Sequence, residues 1–302
     1  MCVSPSATTT ARVGFGTGGL LRIASARRRQ ETLAAALANG INHFDTAPLY
    51  GFGEAERSLG RFLRGQRGKV TLATKFGLRA SPLAARLAVL QGAARRAIQL
   101  FPALRRTAVR NAGMLRSEPT FSIATARSSL ESSLRALRTD YVDFYLAHQA
   151  SAEALPGEDL IGWLEGLKRA GTIRAYGVAT DFDLLRPVLQ QRPQLAGVVQ
   201  FDSDPRSRNI EILDKDPERL LITYTFIGRG VATLRDHPAL AGITEEELGG
   251  LLLRAAVLAN PGGIVLMQSR STARIERNVR AAQSPGDDER VRWLADLLRT
   301  TA

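Results

Sequence analysis

The sequence predicts an α/β protein: a single (β/α)8 barrel of the TIM type, one domain over residues 1–302, with an Arg-rich insertion at 79–118 after strand three. Three observations carry this expectation. Short apolar, β-branched runs alternate with amphipathic stretches, the pattern of a parallel sheet with crossover helices. Eight such units follow one another to the end of the chain. No linker rich in Pro, Gly or Ser divides the 302 residues, and α/β barrels routinely occupy about 250 residues as one domain.

The elements are read in order. Val13 to Gly16 is a short first strand, and Arg27 to Asn39 a helix that stops at Gly40, a natural position for a left-handed cap. Ile41 to Thr46 is strand two, followed by a helix over 53–63 closed by Gly65; Lys69 to Lys75 is strand three. After the basic stretch come a helix from Ser122 to Leu137 and strand four, Val142 to Ala147. The remaining units are helix 158–170 with Gly171, strand 173–178, helix 181–190, strand 197–201, helix 206–214, strand 220–225, helix 244–258, strand 263–267 and helix 271–281. A last helix covers 286–299.

A doubly wound open sheet is the competing architecture. Gly14-Phe15-Gly16-Thr17-Gly18-Gly19 fits G-x-G-x-x-G, and Asp45 ends the next strand 26 residues after the last glycine. In a dinucleotide fold that acid stands about 20 residues on, and a helix opens at the glycines. Residues 19–26 carry no helical start, so the eight units favour the barrel.

Composition narrows the function classes. Charged residues make up 23% and no segment is repetitive, which excludes disordered and fibrous chains. Cys2 is the single cysteine, so a disulfide framework is excluded. No apolar run reaches the ~18 residues of a membrane span. Ala24-Ser25-Ala26 resembles a cleavage site, but Gly-rich sequence precedes it instead of an apolar h-region, and the expected location is the cytoplasm. The net charge is +12, and Lys69, Lys75, Lys168 and Lys215 are the only lysines. Residues 79–118 hold eight Arg and one Glu. Elsewhere basic and acidic residues mix on helix faces, so neither a nucleic-acid nor a membrane partner is expected; the oligomeric state is left open.

In a barrel, chemistry sits where strands end at the C-terminal face. Strand two ends in Phe44-Asp45-Thr46-Ala47, with Tyr50 in the next loop; strand three ends in Thr74-Lys75-Phe76; strand four runs into His148. Taken singly, each has a structural reading: Asp45 as a loop cap, Tyr50 as a rim aromatic, His148 as a hydrogen-bonded histidine. Lys75 is the exception, because a lysine ending an apolar strand is costly unless its charge is paired. All four on neighbouring strand ends point to an active site.

These residues also carry a resemblance. Phe44-Asp45-Thr46-Ala47-Pro48-Leu49-Tyr50-Gly51 with Glu54 resembles the first signature of the aldo-keto reductases, and Ser133 to Leu137 with Asp140-Tyr141-Val142-Asp143-Phe144-Tyr145-Leu146-Ala147-His148 resembles the second. The likeness runs from about Val13 to Ala281. It implies an NAD(P)H-dependent oxidoreductase that reduces an aldehyde or ketone, or oxidises the alcohol, by hydride transfer, with Asp45, Tyr50, Lys75 and His148 as the catalytic residues. The chemistry suits those side chains. Hydride delivery leaves negative charge on the carbonyl oxygen, which needs a proton donor, and Tyr50 fills that role. A free tyrosine, at pKa ~10, is a sluggish acid or base near neutrality; an adjacent lysine favours its phenolate, and Asp45 holds the lysine. His148 orients the carbonyl oxygen.

The same resemblance places a nicotinamide on Tyr224 and its carboxamide on Gln200. It also likens Gln268 to Asn278 to an adenosine 2′-phosphate segment at a helix N-terminus, with Ser269, Arg270, Ser271, Arg274 and Asn278 as cofactor-binding residues. NADP(H) is therefore expected over NAD(H). The chain departs from the family pattern in three places: Ala179-Thr180 stands for Ser-Asn, Thr225-Phe226-Ile227 for Ser-Pro-Leu, and Gln268 for the usual Lys. The expected partner is a small carbonyl substrate, anionic if the arginines of 79–118 face the rim. Two alternatives remain: a non-catalytic, cofactor-sensing regulatory subunit on the same barrel, and a Schiff-base aldolase using Lys75.

Overall fold

The structure, a computed structural model, describes residues 12–78, 119–203, 206, 209–213, 216, 218–283 and 288–301. The Arg-rich segment 79–118 lies outside them, and with it the expectation of an insertion that selects anions. Eight parallel strands close into one barrel in sequence order, β1 against both β2 and β8. They are β1 (Val13–Gly16), β2 (His43–Asp45), β3 (Thr71–Phe76), β4 (Val142–His148), β5 (Ile173–Ala179), β6 (Val198–Asp202), β7 (Leu220–Tyr224) and β8 (Ile264–Met267). All eight expected strands form, with ends shifted by one or two residues.

The helices are α1 (Ala26–Ala38), α2 (Glu54–Phe62), α3 (Ile123–Leu137), α4 (Glu158–Arg169), α5 (Phe182–Gln191), α6 (Asn209–Leu213), α7 (Phe226–Leu234), α8 (Glu245–Ala259), α9 (Thr272–Gln283) and α10 (Asp288–Thr300). Their starts follow local chemistry. The Ser25 hydroxyl accepts from Arg28 N at 3.3 Å at the head of α1, and Ser122 does the same for Thr125 N at 3.2 Å in α3. Thr244 and Glu247 make a capping box at α8; each such cap is worth about 1 kcal/mol.

Two apolar layers form. The outer layer lies between strands and helices and includes Leu33, Leu59, Leu164, Val199 and Leu252, all fully buried. Each side chain of that size contributes about 1.5–3 kcal/mol on burial. The inner layer plugs the barrel with Ala73, Phe144, Leu146, Val198, Ile222, Ile264 and Leu266. At the N-terminal end, the buried Asp143 accepts Arg67 NH2 and Arg174 NH1, each at 2.7 Å, and Leu72 N at 2.9 Å. That network ties β3, β4 and β5 together on the face opposite the chemistry.

One sequence expectation holds and one stretch differs, each for a clear cause. The Gly14–Gly19 run does not open a dinucleotide-binding helix: Gly14 and Gly16 belong to β1, and the chain passes into a single 3-10 turn at Leu20–Arg22. Gly14 is needed by the barrel, since a Cβ there would stand 2.7 Å from Leu266 and 2.8 Å from His43. The difference is α7, a helix in the stretch between strand 220–225 and helix 244–258 to which the sequence reading gave no element. Gly230 is a packing glycine, because a Cβ there would press Leu252 of α8 at 2.7 Å. Among the described residues, no helix is long and apolar enough to cross a membrane.

Candidate active site

The C-terminal rim brings the four expected catalytic residues to one cavity of about 850 Å³, whose wall includes Asp45, Tyr50, Lys75 and His148. Asp45 and Lys75 are inward-facing residues of adjacent strands and each is 2% exposed. Lys75 Nζ donates to Asp45 Oδ2 at 2.6 Å and to the Thr46 carbonyl at 3.0 Å. Burial alone would depress the Lys75 ammonium, but the Asp45 carboxylate, with help from Tyr50, more than offsets it and holds the lysine above its ordinary value. The lysine therefore stays charged.

Tyr50 arrives from the loop after β2, where Gly51, Phe52 and Gly53 all take positive φ, between 56° and 82°. That tight turn aims the ring back over the barrel. Lys75 Nζ lies 5.3 Å from the Tyr50 ring centroid, and the His148 ring meets Tyr50 edge-on at 6.1 Å and 88°. A proton-bearing phenol, a fixed ammonium and an imidazole thus converge on one space.

Beneath this layer sits a histidine the sequence reading did not single out. His43 is fully buried, two residues before Asp45 on the same face, with Nδ1 3.0 Å from the Thr71 hydroxyl. Burial, then the nearby Lys75 charge, lowers its pKa to about 3. The unfolded chain takes up a proton at this residue below pH 6.5 that the folded chain refuses. Its contribution to stability is present above pH 6.5 and is lost as pH falls toward 3, at up to about 1.4 kcal/mol per pH unit. Urea unfolding at pH 7, 5.5 and 4 should show a shallower pH dependence in His43→Leu than in the wild type; equal slopes would mean that His43 titrates alike in both states.

The expected cofactor residues divide into two groups. Gln200, Tyr224, Arg274 and Asn278 line the same cavity as the tetrad. Ser269, Arg270 and Ser271 form the turn between β8 and α9 and are not among the wall residues. Ser269 Oγ accepts Ser271 N at 3.1 Å, and Ser271 Oγ accepts Arg274 N at 3.3 Å, so these hydroxyls cap their own turn. Gln200 Nε2 donates to Asp45 Oδ2 at 3.0 Å, while its Oε1 is buried without a donor among the described residues. An orphaned acceptor beside the tetrad fits a carboxamide NH2. Tyr224 is half-buried; burial, then Asp181 and Asp202, push its phenol well above the ordinary range, so the ring stays neutral. Thr180 is fully buried with its hydroxyl unpartnered among the described residues, and its neighbour Ala179 takes the wall position.

The wall also includes Leu49, Leu78, Gln149, Asp181, Glu245 and Glu246, to none of which the sequence reading gave a site role. Gln149 follows His148 directly and was open to the same strand-end argument. Its positive φ of 57°, and the 68° of Thr225 after β7, mark strand ends bent to face the cavity.

A model of the aldo/keto reductase family matches residues 12–224. Among characterised proteins, the chain is 27% identical over 238 residues to the aldo-keto reductase yakc [NADP(+)] of Schizosaccharomyces pombe, covering 74% of this chain and 60% of that protein. It is 31% identical over 164 residues to an NADH-specific methylglyoxal reductase of Escherichia coli, covering 53% and 44%. The chain thus spans less than two thirds of either relative. Among solved structures, the holo form of aldo-keto reductase AKR11C1 from Bacillus halodurans superposes with a TM-score of 0.72 at 22% identity, covering 97% of this chain and 93% of that one. That last likeness bears on the fold.

Proposed function

This chain belongs to the aldo/keto reductase family, and on that premise we propose that it reduces a small aldehyde or ketone to the alcohol, or runs the reverse oxidation, with Tyr50 as proton donor. The observation that carries the reading is the buried Lys75–Asp45 pair, 2.6 Å apart, beside Tyr50 and His148 in one cavity. A nicotinamide cofactor, when bound, supplies or accepts the hydride. Tyr50 Oη gives its proton to the carbonyl oxygen as negative charge gathers there. Lys75, kept cationic by Asp45, stabilises the phenolate left behind. His148 donates to the carbonyl oxygen and fixes its direction. In the alcohol-forming direction Tyr50 regains its proton from solvent; in reverse it takes the proton from the alcohol.

Gln200 Oε1 and the Tyr224 face suit the nicotinamide end. Arg274, on the wall at the head of α9, suits a phosphate, where backbone N–H groups and the helix dipole favour an anion. Arg270, Ser269, Ser271 and Asn278 are assigned to the same end. NADP(H) is favoured over NAD(H) on the strength of those arginines.

A Schiff-base aldolase is disfavoured by the same ion pair, because a lysine held charged by a carboxylate is a poor nucleophile. The test is consumption of NADPH with a panel of aldehydes and ketones. Turnover of at least one supports the enzyme reading. Tight cofactor binding with no turnover on any carbonyl would replace it with the regulatory-subunit reading.

A further inference from the structure

At its far end the cavity wall carries Arg274 and Asn278 from α9 together with Glu245 and Glu246 from the first turn of α8. We propose that Glu246 sets the cofactor preference of this chain: by holding Arg274 and Arg277 it opposes a 2′-phosphate and keeps the advantage of NADPH over NADH small. The inference rests on the nicotinamide reading above and concerns residues outside the tetrad.

One carboxylate serves both arginines. Glu246 Oε2 is 2.5 Å from Arg277 NH2, and Oε1 is 4.0 Å from Arg274 NH2. Glu245 adds a second carboxylate on the same wall, with no ion pair among the described residues. On the wall itself two carboxylates, Glu245 and Glu246, stand against one guanidinium, Arg274, and Arg277 beside it is paired to Glu246. Gln268 adds none, and its carboxamide lies over the Gly16–Gly19 turn, with Oε1 2.8 Å from where a Gly19 Cβ would stand.

The consequence is electrostatic. A 2′-phosphate carries about −1.5 to −2 charge, so at Arg274 it competes with Glu246 for the guanidinium and meets the carboxylate's repulsion. A ribose 2′-hydroxyl carries no charge and can donate a hydrogen bond to a carboxylate, the usual recognition of NAD by an acidic residue. The three side chains are 48–52% exposed, so water screens the effect. The expected size is about tenfold in affinity, not an absolute block.

The experiment is titration of the full chain with NADPH and with NADH, followed by fluorescence, for the wild type and Glu246→Gln, at low and high salt. Glu246 is exposed in a helix's first turn, so little packing is lost; Glu246→Ala serves as the second variant. We expect both variants to bind NADPH about tenfold more tightly, with NADH unchanged or slightly weaker, and the gain to shrink at high salt. Unchanged NADPH affinity, an equal gain for both cofactors, or a wild type that already prefers NADPH by more than about 100-fold would overturn the proposal. Those outcomes leave the nicotinamide reading standing. A wild type that binds neither cofactor would instead overturn that reading and this inference with it.

Discussion

Tyr50→Phe is expected to lower kcat by about 10²–10⁴-fold, the usual worth of a positioned general acid, while the dissociation constant of the cofactor stays nearly unchanged. The substitution removes one oxygen and keeps the ring. The edge contact with His148 at 6.1 Å and the approach of Lys75 Nζ at 5.3 Å both involve the ring, so cavity shape should survive. A loss in kcat and kcat/KM together, with cofactor binding preserved, marks an interaction made in the transition state. Steady-state kinetics on the best carbonyl of the panel, paired with a cofactor titration, provides the check. Should the variant keep most of its kcat, the proton comes from elsewhere, and His148, on the same cavity wall, becomes the donor to test next.

The reasons this site was legible lie in particular residues. Lys75 ends an apolar strand, where a charge is costly unless paired, so sequence alone flags it; Asp45 and His148 gain weight only by falling on the neighbouring strand ends. Tyr50 carries no such signal; its loop matches a family pattern, and the positive-φ turn at Gly51–Gly53 that aims it is visible only in the structure. The barrel was legible because its strands are continuous apolar runs, buried on both faces by plug and helices. Where reading failed, tertiary packing had overridden local preference. The stretch after strand seven carries no helical signal in the sequence yet forms α7, where Gly230 allows close contact with Leu252. Glu246 reads as an ordinary acidic residue near a helix start. Only the packing of α8 against α9 brings it to Arg274 and Arg277.

Lys75→Met should be as inactive as Tyr50→Phe, and it should also unfold more easily, by about 3–5 kcal/mol, the cost of removing one partner from a buried ion pair. The lysine ammonium now satisfies Asp45 Oδ2 at 2.6 Å and the Thr46 carbonyl at 3.0 Å. Methionine fills the stem's volume but supplies no donor, so among the described residues the 2%-exposed Asp45 keeps only the Gln200 amide, 3.0 Å away. The two losses have separate origins, and a second substitution tells them apart. Asp45→Asn in the Lys75→Met background removes the stranded charge, so denaturant unfolding should recover a large part of the stability. Activity should stay absent, because nothing cationic then faces the Tyr50 phenolate. The coupling between the two sites should be well above the 0.3–0.5 kcal/mol within which independent sites add. Equal stability losses in the single and double variants would mean that Lys75 supports the fold by packing alone. A Lys75→Met enzyme with near wild-type turnover would sink the role of the ammonium in the chemistry. Borohydride trapping adds a third reading of the same residue: covalent capture of a carbonyl compound on wild-type Lys75 would require a neutral amine there, which the pairing with Asp45 forbids.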